Sequence, residues 1–260
     1  MRSGRKVVMV AVAAALMPLA ASADPRPFSF VYDTYPEGKG NWEYEQWVTW
    51  STHTEEDSDF QRVDFRHEFE FGLADNFDLS VYVSNWSWED SDARQGTHWD
   101  SAGIEGIVYL TNPIEDFVGI GLYGEVFAGD EELEFEGKLL LHKDIGNWTL
   151  AYNLILETEV EGVFTSGEED EGTEVEGVLG HALGASYNLE GGKLRVGGEC
   201  VIESEYESWN EYEATTVYAG PAINYFGSDK WWVTVTPMFQ LSDEAGEADF
   251  VVRMLAAWQF

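Results

Sequence analysis

A single cysteine, Cys200, stands in the chain, so no disulfide can close within it. Flanked by Val201 and Ile202, that cysteine reads as a small apolar residue of a strand. Basic residues are scarce: 14 Lys and Arg face 49 Asp and Glu, which excludes nucleic acid, a partner bound through cations on its phosphates. Beyond the first residues, no apolar run reaches the roughly 18 residues of a membrane-crossing helix. No serine lies in a recognisable nucleophile motif, and the histidines (His53, His67, His98, His142, His181) are scattered. An enzyme is therefore not expected, and no cofactor is implied. An outer-membrane lipid hydrolase stays as an alternative, with His142 facing a lumen.

Aromatic residues, in contrast, are plentiful at 15%, with 11 Trp beside 26 Gly, and they fall in alternating runs. Acidic chains poor in aromatics stay disordered, whereas alternation of this kind predicts strands. The start differs from the rest. Arg2, Arg5 and Lys6 precede an apolar stretch from Val7 to Leu19, and Ala21-Ser22-Ala23 offers a small-residue cleavage site. Residues 1–23 read as a secretory signal peptide, with the mature chain beginning at Asp24. Their removal takes away three bases and no acid, leaving a chain more acidic still than the full-length net charge of −35.

Residues 24–40, with Pro25, Pro27 and Pro36, read as an irregular periplasmic lead-in, and residues 41–260 as one barrel. Twelve two-faced strands are expected there. The clearest, from Phe60 to Leu73, sets Val63, Phe65, Phe69 and Phe71 against Arg62, Asp64, Arg66, Glu68 and Glu70. Strands three and four are placed at Phe77–Trp88 and Trp99–Thr111, with a longer connection between them, and strand five at Phe117–Ala128. The facing of strand eight, Glu174–Tyr187, stays open, and Pro221 in strand ten requires a place where no ladder donor is needed. Strand twelve alternates Phe250, Val252, Met254, Ala256, Trp258 and Phe260 with a set that includes Arg253.

Amphipathic strands with charged inner faces persist in hydrocarbon only as a complete ring, because each unpaired backbone group there costs several kcal/mol. The fold class is therefore all-β, a closed antiparallel transmembrane β-barrel of about twelve strands in the cell outer membrane. A soluble periplasmic barrel or sandwich is the alternative. Trp42, Trp148, Trp231, Trp258 and Phe260 would girdle one rim, and Trp50, Trp86 and Trp88 the other. Short connections after strands two, four, six, eight and ten, against longer ones after one, three, seven and eleven, place both termini in the periplasm.

Strand twelve, ending on Phe260, resembles the terminal assembly signal of Gram-negative outer-membrane β-barrels, with Phe250, Val252, Trp258 and Phe260 as its elements. The Gly-Leu-Ala-Asp-Asn turn within Gly72–Leu79, and Ala219-Gly220-Pro221 followed by Lys230-Trp231-Trp232, loosely resemble the transporter family of the MetA pathway of phenol degradation. These resemblances imply an envelope barrel whose partners are outer-membrane lipid and lipopolysaccharide, the barrel assembly machinery, and small solutes or cations.

The candidate lumen residues are Arg62, Arg66, Glu68, Glu105, Glu125, Glu136, Lys138, Glu157, Arg195, Glu199 and Arg253. Two readings of them stand open. Either these charges pair into a ladder that plugs the barrel, or the surplus carboxylates line an aqueous path that favours cations. The acids of the long loops, among them Glu168 to Glu171, form a solvated surface or an oxygen-rich site for divalent cations, though no calcium-loop spacing occurs and a metal site is left unknown.

Overall fold

In the computed structural model, which describes residues 26–130, 132–163, 173–228 and 230–260, twelve antiparallel strands close into one barrel. They are β1 (Trp42–Thr52), β2 (Gln61–Ala74), β3 (Phe77–Asp90), β4 (Gln95–Thr111), β5 (Gly119–Gly129), β6 (Glu132–Ile145), β7 (Trp148–Glu161), β8 (Val175–Leu189), β9 (Leu194–Glu207), β10 (Glu211–Ser228), β11 (Trp231–Gln240) and β12 (Phe250–Gln259). Each pairs with its sequence neighbours, and β1 pairs with β12 to close the ring. The expected signal peptide and the acids Glu131 and Glu168 to Glu171 lie outside the described residues.

Alternation decides which side of each strand meets lipid. On β1 the odd positions Glu43, Glu45 and Trp47 are buried within the ring, while Trp50 on the even set is exposed. On β12, Leu255 and Ala257 are buried while Trp258 is exposed. The outer surface carries exposed Ile104, Leu122, Phe135, Leu156 and Ile223, with Trp148, Trp231 and Trp258 at one rim and Trp50, Trp88 and Trp99 at the other. An apolar band between two aromatic belts is what a bilayer selects, and the architecture is that of an outer-membrane β-barrel. At the seam, the Trp42 and Phe260 rings stack with centroids 4.2 Å apart.

The face of β8 is settled by its buried Ala182 and Ser186, which point inward, whereas Leu183 is exposed. Pro221 sits where the β10–β11 pairing skips from Ala219↔Phe239 to Ile223↔Val235, so its missing N–H leaves no ladder bond unmade. Two connections depart from expectation. β3 and β4 run on past their girdle tryptophans and pair as far as Asp90↔Gln95, leaving only residues 91–94 as a turn. A ladder satisfies its own backbone groups in water as in lipid, so the polar stretch that reads as a loop by composition is strand. Conversely, the connection after β4 spans residues 112–118, because Asn112 and Asp116 fold it into a closed turn: the Asn112 N–H donates to Asp116 Oδ2 at 2.9 Å, and the Asp116 N–H to the Asn112 carbonyl at 2.9 Å. Connections elsewhere follow the expected division, with residues 53–60, 162–174 and 241–249 at one end and the tight turns 75–76 and 146–147 at the other.

Residues 26–40 are irregular, as expected, but 26–37 run inside the ring rather than in the periplasm. Their contacts reach strands on every side: Glu199 on β9, Asn153 on β7, His142 on β6, Asp78 on β3 and Glu45 on β1. A twelve-stranded ring is wider than the eight-stranded barrel that side chains alone fill, and here a piece of backbone occupies the extra room.

Candidate functional site

The inner segment lies at the rim where β1 begins and β12 ends, and fills that half of the lumen. Its unpaired backbone groups cannot be left dry, and the wall supplies their partners. Glu199 accepts the N–H of Ser29 at 2.9 Å, of Phe30 at 2.7 Å and of Val31 at 3.0 Å, with the Thr236 hydroxyl donating to it at 2.6 Å. Asn153 brackets Tyr32, accepting its N–H at 2.7 Å and donating to its carbonyl at 2.9 Å. The carbonyl of Arg26 accepts from Thr234 at 2.6 Å and from Asn224 at 3.1 Å. Phe28 and Val31 are fully buried against Ala151, Ala182 and Ala222 of the wall. Inward Gly184 makes room for this packing, since a Cβ there would sit 2.8 Å from the Phe28 ring.

Cations of the lumen stack on aromatic rings around the segment. Arg26 lies 4.1 Å from the Tyr32 centroid, Lys138 4.2 Å from that of Tyr123, and Arg253 4.0 Å from that of Phe30. Such contacts hold a desolvated cation by up to about 2 kcal/mol each. A continuous salt-bridge ladder is not what forms. Arg62 pairs with Asp64 at 2.8 Å and Lys138 with Glu136 at 2.6 Å, while Arg66 and Arg253 have no carboxylate within ion-pair distance among the described residues.

Beyond Phe30, Tyr32 and Trp47, which form its floor, a cavity of about 350 Å³ opens toward the long-loop end. Asp64, Glu125, Glu134, Glu136, Glu157, Glu203 and Glu247 line it against Arg66, Lys138 and Arg253. The 241–249 connection bends inward over it: Ala248 is buried, and its carbonyl accepts the Tyr218 hydroxyl at 2.6 Å.

Of the residues singled out from sequence, Arg66, Glu125, Glu136, Lys138, Glu157 and Arg253 thus gather around one cavity, and Arg62 lines an adjoining cavity of about 520 Å³ that shares Asp64, Arg66, Glu134 and Arg253 with it. Glu68, Glu105 and Glu199 instead lie buried in the plugged half. There Glu105 accepts the Tyr82 hydroxyl at 2.6 Å, and Glu199 anchors the segment. Arg195 is set apart, near the terminal rim and opposite Asn188 and Asn224, and lines none of the cavities described here. Glu134 and Glu203, expected to face inward from their alternation with Leu133 and Ile202, also line the cavity, and Trp47 and Tyr32 complete it without having been singled out as candidates.

His142 does face the lumen. Thr34 Oγ1, His142 and Asp144 align at 3.4 and 3.2 Å, in the order of nucleophile, base and orienting acid. However, the backbone N–H of Thr34 also donates to the same Nδ1 at 3.3 Å. The nitrogen that would take a hydroxyl proton is already engaged, and the trio serves as a further anchor of the segment.

A single family model spans residues 20–251, well over half of the sequence. The chain belongs to DUF6662, a family of unknown function. No curated protein matches it. Among solved structures it resembles the COG4313 outer membrane channel from Pseudomonas putida F1, with a TM-score of 0.61 at 14% identity over 88% of this chain and 98% of that one. The NanC porin aligns with a TM-score of 0.55 at 7% identity, over 84% of this chain and 98% of the porin. The beta domain of the Bordetella autotransporter BrkA aligns at 0.53 and 11% identity, covering 85% of this chain and 100% of that domain. At these identities the likeness is one of fold, a DUF6662 chain built as an outer-membrane barrel.

Proposed function

We propose that this DUF6662 barrel is a passive outer-membrane channel for small solutes, with a preference for cations, kept narrow by its own residues 26–37. The observation that carries this reading is the cavity in which Asp64, Glu125, Glu134, Glu136, Glu157, Glu203 and Glu247 outnumber Arg66, Lys138 and Arg253. Rings of carboxylates lower the energy of a cation in a pore and raise that of an anion. Two neighbours in fold, an outer membrane channel and a porin, point the same way. So do the short stretches similar to the MetA-pathway transporters, Gly72–Leu79 and Ala219–Pro221.

In this reading the tight-turn rim with both termini faces the periplasm, and the strand ending on Trp258 and Phe260 engages the barrel assembly machinery. Lipid and lipopolysaccharide meet the outer band, and the protein performs no bond chemistry of its own. The test is conductance of the purified full-length protein in planar bilayers across a salt gradient. Ionic steps with a cation-selective reversal potential are expected. A second reading has a specific observation behind it, the burial of Phe28, Val31 and Tyr32 across the lumen: a barrel sealed by its segment that acts at its surface. Silent bilayers from heat-modifiable protein would select that reading.

A further inference from the structure

The small cavity on the other side of the plug has a different chemistry. At the terminal rim, Glu37 of the inner segment meets Glu43 of β1 and Glu70 of β2, residues that are register partners across the β1–β2 ladder. One carboxylate oxygen from each lies within 4.8 Å of the others. Oxygens bound to Ca²⁺ sit about 2.3–2.6 Å from the ion, so opposite ligands stand roughly 5 Å apart, and this spacing suits a single ion. An adjoining cavity of about 30 Å³ is lined by these three residues and by Glu45. That volume is the space of about one water or one ion.

A crowd of acids alone proves little, and Glu45 supplies the independent observation. It is fully buried, and its Oε2 is taken by Arg26 at 3.3 Å and by the Trp47 indole at 2.8 Å. Its Oε1 has no hydrogen-bond partner. Beside it stands another carboxyl group, Glu43, within hydrogen-bonding reach, so the pair can share either a proton or a cation. Two facing carboxyl groups in a dry site need a proton or a cation between them, because a buried unpaired acceptor costs about 1–3 kcal/mol and more when charged, and a third and fourth carboxylate beside the pair, Glu37 and Glu70, favour the cation. Arg26 is the one base lining this cavity. The remaining donors are neutral: Trp232 Nε1 to Glu43 at 3.1 Å and Gln259 Nε2 to Glu37 at 3.0 Å.

We infer that Glu37, Glu43 and Glu70, with Glu45, form a site for one hard divalent cation of the Ca²⁺ type, which ties the inner segment to the barrel wall. All-carboxylate donors favour Ca²⁺ or Mg²⁺ over softer metals. Because Glu37 comes from the segment and the other three from the wall, bound metal would fasten the plug independently of the Glu199 anchor. The inference does not depend on whether ions cross the lumen.

The test uses refolded full-length protein, stripped with chelator, in detergent. Calcium binding is followed by equilibrium dialysis, and Tb³⁺ is used as a luminescent stand-in excited through tryptophan. Wild type should show a saturable site, and Glu37→Gln/Glu70→Gln should weaken it at least tenfold while heat-modifiable mobility persists. Should that double variant not fold, Trp47→Phe/Trp232→Phe carries the decision. The Trp232 indole touches Glu43 at 3.1 Å and the Trp47 indole Glu45 at 2.8 Å, so their joint loss should cut sensitised Tb³⁺ emission severalfold while calcium still competes the ion off. Calcium binding unchanged in Glu37→Gln/Glu70→Gln, or emission unchanged in Trp47→Phe/Trp232→Phe, would place the metal elsewhere and overturn the inference. Failure to bind calcium in folded wild type would do the same, with the conductance reading left standing.

Discussion

Glu199 of the barrel wall and Phe30 of the inner segment are joined by a hydrogen bond of 2.7 Å across 169 positions of sequence. The same carboxylate also takes the N–H groups of Ser29 and Val31, so one side chain satisfies three consecutive backbone donors. This is the arrangement by which an irregular peptide stays in a lumen without a ladder of its own. Bonds to a charged acceptor are worth about 1.5–3 kcal/mol each, roughly twice those between neutral groups.

Replacing that carboxylate should therefore free the segment. Glu199→Ala orphans three donors, and at the low end of that range, about 1.5 kcal/mol each, the docked state loses about 4.5 kcal/mol, roughly a thousandfold in its population. Larger single-channel steps and faster proteolysis within residues 26–40 are expected, with heat-modifiability retained. Glu199→Gln keeps an acceptor oxygen and should fall between the two. Equal conductance and equal proteolysis in wild type and Glu199→Ala would show that the anchor is not what holds the segment.

Steric pressure on the same segment offers a separate prediction. Gly184 faces Phe28 so closely that any side chain must displace the ring. Gly184→Val should loosen the segment without touching a hydrogen bond, since β8 keeps its pairing with β7 and β9 and valine favours strands. A loss of about 1–3 kcal/mol in docking is the scale of such overpacking. Protease sensitivity matching wild type would mean that the ring has somewhere else to go.

The ring was legible from sequence because lipid imposes a two-residue period on every strand, and residues such as Phe65 against Arg66 record it directly. Strand ends were less so. Beyond Trp88 the outward face meets water, alternation is no longer required, and Glu89, Asp90 and Gln95 look like a loop although they are paired. The inner segment was the least visible. Its prolines announce irregular backbone, but its partners, Asn153, Glu199 and Thr234, lie more than a hundred residues away and look like ordinary lumen polar groups. The lumen charges stood out one by one through alternation. What sequence could not separate was Glu125, beside the open cavity, from Glu199, consumed as an anchor, since both are inward glutamates on two-faced strands.

Orientation can be checked directly. Asp59 and Asp92 are at the long-loop end and Asn147 is in a tight turn at the terminal rim, all exposed. Single cysteines at Asp59 or Asp92, in a Cys200→Ala background, should react with a membrane-impermeant maleimide on intact cells. One at Asn147 should react only after the outer membrane is breached. Labelling of the Asn147 position on intact cells, with none at Asp92, would invert the barrel.

Ion preference is the sharpest consequence of the cavity. Glu134, Glu157 and Glu203 line it without being part of the segment's anchor, so they can be neutralised while the plug stays in place. Glu134→Gln, Glu157→Gln and Glu203→Gln together leave Asp64, Glu125, Glu136 and Glu247 against Arg66, Lys138 and Arg253, a near balance in place of a clear acidic excess. Wild type should show a cation-selective reversal potential in a tenfold salt gradient, and the triple variant should move it toward zero at similar conductance. The difference should shrink as ionic strength rises, because at 1 M salt the screening length falls to about 3 Å, less than the spacing of charges across a lumen. Converting Arg66 and Arg253 to Gln should move the potential the other way. A reversal potential that stays fixed across both sets of variants would mean that ions do not pass beside these carboxylates, and the cavity would then be a surface recess of the barrel rather than its path.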